Sequence, residues 1–151
     1  AGWGKKLPGG HARGIAVAES FASYVAMVAE VSIDKGIVRV HRMTCAIDCG
    51  MTVNPNSIRA QMEGAIVYGL TATLKGEITI AGGQVQQRNF DDYPLLRLEE
   101  CPDIDVHLVD SEQAPGGVGE PGVPPTAPAV ANAVFALTGK PVRSLPLQID
   151  S

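Results

Sequence analysis

Between Ser23 and Ile33 an apolar residue returns at every second position: Val25, Met27, Ala29, Val31 and Ile33. A period of two is that of a strand with one buried face. Asp34-Lys35-Gly36 then reads as a tight hairpin turn, and Ile37 to Cys49 as a long returning partner. Arg13 to Ser20 is expected to be a strand before them. This antiparallel unit restricts the chain to folds built on a sheet.

Two helices are expected beside it. Asn54-Pro55 supplies an N-cap and a proline at the first helical position. The helix runs to about Leu74, with a stripe of Ile58, Met62, Ile66, Gly69, Leu70 and Thr73. Val67 adds an apolar residue on the opposite side, a pattern that predicts a buried helix. Gly64 and Gly69 weaken it, and close approach of another backbone or a ligand would explain them. The second helix spans Pro125 to Thr138 and ends at Gly139 and Pro141. Asn132 is its main polar residue, so it too should be covered on nearly every side. A second hairpin is expected from Glu77 to Gln87 around Gly82-Gly83, and a strand from Ile104 to Val109. Strands and helices do not alternate regularly. The fold class is therefore α+β, with mixed or antiparallel sheets and two main buried helices. Residues 1–10 read as a flexible N-terminal segment and 11–151 as one lobe.

The chain has 151 residues, a net charge of −4 and only 5% aromatics. No basic tract is present, so nucleic acid is not expected as a partner. Cys45, Cys49 and Cys101 are an odd set. They read as small packed thiols rather than a disulfide framework or a zinc site, and no metal ligands are assigned. His41 and Cys45 fall on one strand face by spacing, but nothing suggests an activated thiol. Asp91-Asp92 and Glu99-Glu100 read as solvated pairs.

The segment Ala114 to Pro124, APGGVGEPGVP, is the strongest candidate for chemistry. Its glycines allow close approach and positive φ, its prolines stiffen the chain beyond the carboxylate, and that carboxylate is Glu120. Most glycine–proline clusters are turns, and most glutamates in them are solvated. The company of a second segment changes that reading.

CAIDCGMTVNPNSIRAQMEGAIVYGL, from Cys45, resembles the D-x-G-x-x-x-N-P strand end and Q-x-E-G helix of the molybdenum hydroxylases. GGVGEPGVPPTAPAVANAVFALTG, from Gly116, is similar to that family's G-V-G-E segment and following helix. Order and spacing agree, and the likeness is greatest to the C-terminal part of the large subunit of aldehyde or isoquinoline oxidoreductases. The resemblance implies hydroxylation of an aldehyde or N-heteroaromatic carbon, with water as the oxygen source, at a molybdenum–pyranopterin centre of cytosine dinucleotide type. It assigns Glu120 as general base and Gln61, Val118 and Gly119 as cofactor contacts. It implies two partners, the rest of the large subunit and a small subunit with [2Fe-2S] clusters. The chain would then be one lobe, without bound cofactor and inactive alone. Asp48 and Asn54 are expected to shape a loop and cap a helix rather than touch substrate. The competing reading is a non-catalytic binding or assembly module that keeps the fold. Apolar helices cut from a partner predict self-association.

Overall fold

The alternating segment forms the second strand of a four-stranded sheet. The computed structural model describes residues 1–149. The strands are β1 (His11–Ser20), β2 (Ser23–Asp34) and β3 (Ile37–Asp48), followed by α1 (Pro55–Leu74). Two short strands come next, β4 (Ile80–Ala81) and β5 (Gln84–Val85), then β6 (Asp103–Leu108) and α2 (Thr126–Thr138). The sheet order is β1-β2-β3-β6, antiparallel except for the parallel β3–β6 pair. The sheet is thus mixed. Position 150 onward, the end of the expected 11–151 lobe, lies outside the described residues.

Val25, Met27, Ala29 and Val31 are fully buried on one face, beneath both helices. The α1 stripe is buried as its spacing predicts, joined by Ala65. Asn54 caps α1 by accepting from the Asn56 and Ser57 amides, each at 3.1 Å. Gly69 is explained by α2: an added Cβ would lie 2.9 Å from Thr126 Cβ. Gly14 does the same for β1, where an added Cβ would run into the Ala129 carbonyl of α2. Asn132 ties α2 to β1 by donating to the Ile15 carbonyl at 2.9 Å.

Several expectations are corrected. Each helix buries one face and leaves the other open, with Tyr68 of α1 and Phe135 of α2 exposed. The outer sheet face, with Ile15, Val17 and Tyr24, is also uncovered. The second hairpin shrinks to two-residue strands, whose side chains are all exposed. His41 and Cys45 do not share a face. The pairing shifts between Glu30 and Val31, which puts Val40 opposite Val31 and Arg42 opposite Glu30. His41 then stacks on His11, with ring centroids 4.3 Å apart, while Cys45 enters the core. Burial pushes the Cys45 thiol up to about 12, so it is no nucleophile. The acidic pairs are also more than solvated. Asp92 accepts the Arg88 and Asn89 amides, and Glu100 meets Lys75 Nζ at 2.6 Å.

Candidate active-site cleft

The glycine–proline segment is held by three separate parts of the fold. At its start, the Met51 amide donates to the Gln113 carbonyl (2.9 Å) and the Gly116 amide to the Cys49 carbonyl (2.8 Å). Asp48 shapes this junction by accepting the Gly50 amide at 3.1 Å. The second hold is the β1–β2 turn. The Gly117 amide donates to the Phe21 carbonyl (2.7 Å), and the Ser23 hydroxyl donates to the Gly117 carbonyl (2.7 Å). Contact here is so close that a Cβ on Gly116 would lie 2.5 Å from the Ala22 carbonyl oxygen. One on Gly117 would lie 2.7 Å from Phe21 Cβ. The third hold is α1, where a Cβ on Gly122 would lie 2.8 Å from Ala65 Cβ. Glycine is required at these positions because backbone meets backbone or a packed side chain.

Between the second and third holds the segment carries Gly119 and Glu120. They face α1 across a cleft of about 500 Å³, lined also by Phe21, Gln61, Gly64, Ala65, Tyr68, Val123 and Pro124. An added Cβ on Gly119 would sit 3.7 Å from Gln61 Nε2, so the glutamine amide borders the loop. The side chains of Gln61 and Glu120 are exposed, and neither makes a hydrogen bond or ion pair to another described residue. A carboxylate and an amide, each without a partner among the described residues, thus line one cavity. The carboxylate can accept a proton, and the amide can both donate and accept.

The structure brings together Gln61, Gly119 and Glu120. Val118 turns the other way and packs half-buried against the core. Glu120 does not cap α2. A turn closed by the Val123 amide on the Glu120 carbonyl (2.9 Å) separates it from the helix, whose first residue comes after Pro125. Phe21 was missed by sequence reasoning. The signal for it is a gap of two residues between two alternating strands, filled by Phe-Ala instead of turn residues.

The cleft leaves open space beside bare backbone. Gly64 lies on it, in the middle of α1, and a Cβ there would meet nothing within 4 Å. Glycine inside a helix costs about 1 kcal/mol relative to alanine, and no packing within the lobe offsets it. Open space beside a bare helix backbone, an amide and a glycine loop suits a group that needs close backbone approach. Among the described residues no cluster of three or more His, Cys, Asp or Glu could hold a metal ion directly. No described helix is long and apolar enough to cross a membrane.

The molybdopterin cofactor-binding domain family matches residues 9–102, which include Gln61. The chain is 41% identical over 142 residues to the beta subunit of isoquinoline 1-oxidoreductase of Brevundimonas diminuta, covering 93% of this chain and 18% of that protein. It is 36% identical over 132 residues to a subunit of nicotinate dehydrogenase of Pseudomonas putida, covering 85% of this chain and 11% of that protein. The chain therefore spans less than a fifth of the length of these relatives. Quinoline 2-oxidoreductase from Pseudomonas putida 86 has the same fold over 82% of this chain and 17% of its own, with a TM-score of 0.75 at 24% identity. A sheet covered on one face by two helices, with a glycine loop beside the first helix, is the form this sequence takes as a member of the molybdopterin cofactor-binding domain family.

Proposed function

We propose that this chain is the part of a molybdenum hydroxylase large subunit that supplies the general base. The observation that carries the reading is that Glu120 and Gln61, from distant segments, line one cleft. Glu120 holds its carboxylate on a loop fixed at both sides and accepts a proton there. A base so placed must lie within hydrogen-bond reach of its proton, and a fixed loop satisfies that need without reorganisation. Gln61 orients the cofactor through its amide, with the Val118 and Gly119 backbone on the same side. The bound molybdenum–pterin, of cytosine dinucleotide type, supplies the two-electron oxidation.

The substrate is an aldehyde or an N-heteroaromatic compound, the second being the kind named for the isoquinoline and nicotinate relatives. The rest of the large subunit completes the cofactor pocket, and a [2Fe-2S] subunit receives the electrons. The lobe alone is inactive, and its uncovered sheet and helix faces drive self-association when it stands alone. The test is Glu120→Gln in the full-length, cofactor-loaded enzyme. A loss of turnover of about 100-fold or more is expected with unchanged molybdenum content. Turnover near the wild-type value would refute the assignment.

A further inference from the structure

Phe21 and Ala22 join β1 to β2 with φ of +54° and +57°. A two-residue turn with both φ values positive is the type I′ turn, where Asn-Gly is the usual pair. A bulky residue at positive φ is an outlier and strains the native state. The other two hairpins place glycine in their turns, at Gly36 and at Gly82-Gly83. Glycine would satisfy the Phe21 backbone equally well, so the turn does not require the ring. Neither does the core, because Phe21 is 61% exposed. The ring instead lines the cleft that holds Gln61, Gly119 and Glu120.

We propose that the Phe21 ring is a substrate-contacting wall of the Glu120 cleft, and that it selects a planar aromatic or N-heteroaromatic substrate. The proposal rests on the reading of Glu120 as base. Phe21, Ala65, Val123 and Pro124 give the cleft apolar walls, and the polar groups are few. A flat, uncharged ring with one reacting edge fits such a site. The strain in the turn is then the cost of presenting an aromatic face beside the carboxylate.

The test uses the full-length, cofactor-loaded enzyme with isoquinoline as the probe. Phe21→Asn removes the ring and keeps a residue that tolerates positive φ. Phe21→Tyr keeps the ring. The expected result is an isoquinoline dissociation constant raised about tenfold in Phe21→Asn and changed less than about twofold in Phe21→Tyr. Melting temperature should not fall, and molybdenum and pterin content should not change. An unchanged constant in Phe21→Asn overturns the proposal, as does wild-type enzyme that fails to bind isoquinoline. A lowered melting temperature makes the ring a packing residue, and lost pterin puts it against the cofactor. Either result also overturns the proposal. Glu120→Gln measured in parallel separates the two ideas. If it keeps turnover, the base assignment fails. If it loses turnover while Phe21→Asn binds isoquinoline as wild type does, only the role of the ring fails.

Discussion

Gly116→Ala tests whether the β1–β2 turn sets the position of Glu120. The new methyl would lie 2.5 Å from both the Ala22 carbonyl oxygen and Ser23 Oγ. Ordinary contact begins near 3.4 Å, so the shortfall is about 0.9 Å. Ser23 is fully buried and its hydroxyl is committed to the Gly117 carbonyl, so it cannot give way. The Ala22 carbonyl belongs to a turn already at positive φ. The loop must therefore move by most of an ångström. Overpacking of this kind costs about 1–3 kcal/mol, and each loop hydrogen bond lost adds about 1 kcal/mol. A misplacement of about 1 Å at a reacting group costs about 100-fold in rate. Thermal melting and steady-state kinetics of the full-length enzyme check both numbers. Melting should fall, and kcat should drop far more than KM rises. Wild-type melting together with wild-type kcat would refute the idea that this contact locates the carboxylate.

Gly64→Ala should stabilise α1 by about 1 kcal/mol in enzyme stripped of cofactor, yet lower pterin content in the loaded enzyme. Denaturant unfolding and pterin assay give the two readings. Native-state alkylation at pH 8 should modify Cys101 and spare Cys45, whose thiol is pushed to about 12 by burial; mass spectrometry identifies the labelled peptide. His41 is held below its ordinary 6.5 by burial first, then by the charges of His11 and Arg39, against the opposing pull of Glu30. The unfolded chain thus binds the extra proton first, so stability should decline as pH falls from about 6.5. Glu30 is held below its ordinary 4.5: burial opposes ionisation, and hydrogen bonds from His11 and Arg13 outweigh it. Its contribution is present above about 4.5 and lost at lower pH. Urea midpoints against pH should lose the upper decline in His41→Asn and keep the lower one.

Much of the fold was legible because its signals are local. Period-two alternation placed β2, the Asp34-Lys35-Gly36 turn placed β3 as its partner, and Asn54-Pro55 placed the start of α1. The β3 bulge was not legible. It depends on where Val40 finds Val31, a pairing across the hairpin that spacing within β3 does not encode. The open helix faces were misread because an apolar outer residue such as Val67 looks the same whether a partner covers it or not. In the site, Glu120 and Gln61 stood out by motif, and their shared cleft required the tertiary structure. Phe21 was harder to see: its sequence signal is only a two-residue gap filled by Phe-Ala, and the positive backbone angles that make it unusual appear only in the structure.

The holds on the Glu120 loop have a kinetic consequence. The Ser23–Gly117 hydrogen bond joins residues 94 positions apart. Contacts of such long range form late, since the chain must close large loops before it gains from them. The hairpin, α1 and the end of β3 must all be in place before residues 113–122 have anything to rest on. The carboxylate therefore reaches its working position as one of the last acts of folding. On the reading of Glu120 as base, a partly folded lobe would present a helix and a sheet before its carboxylate is in place.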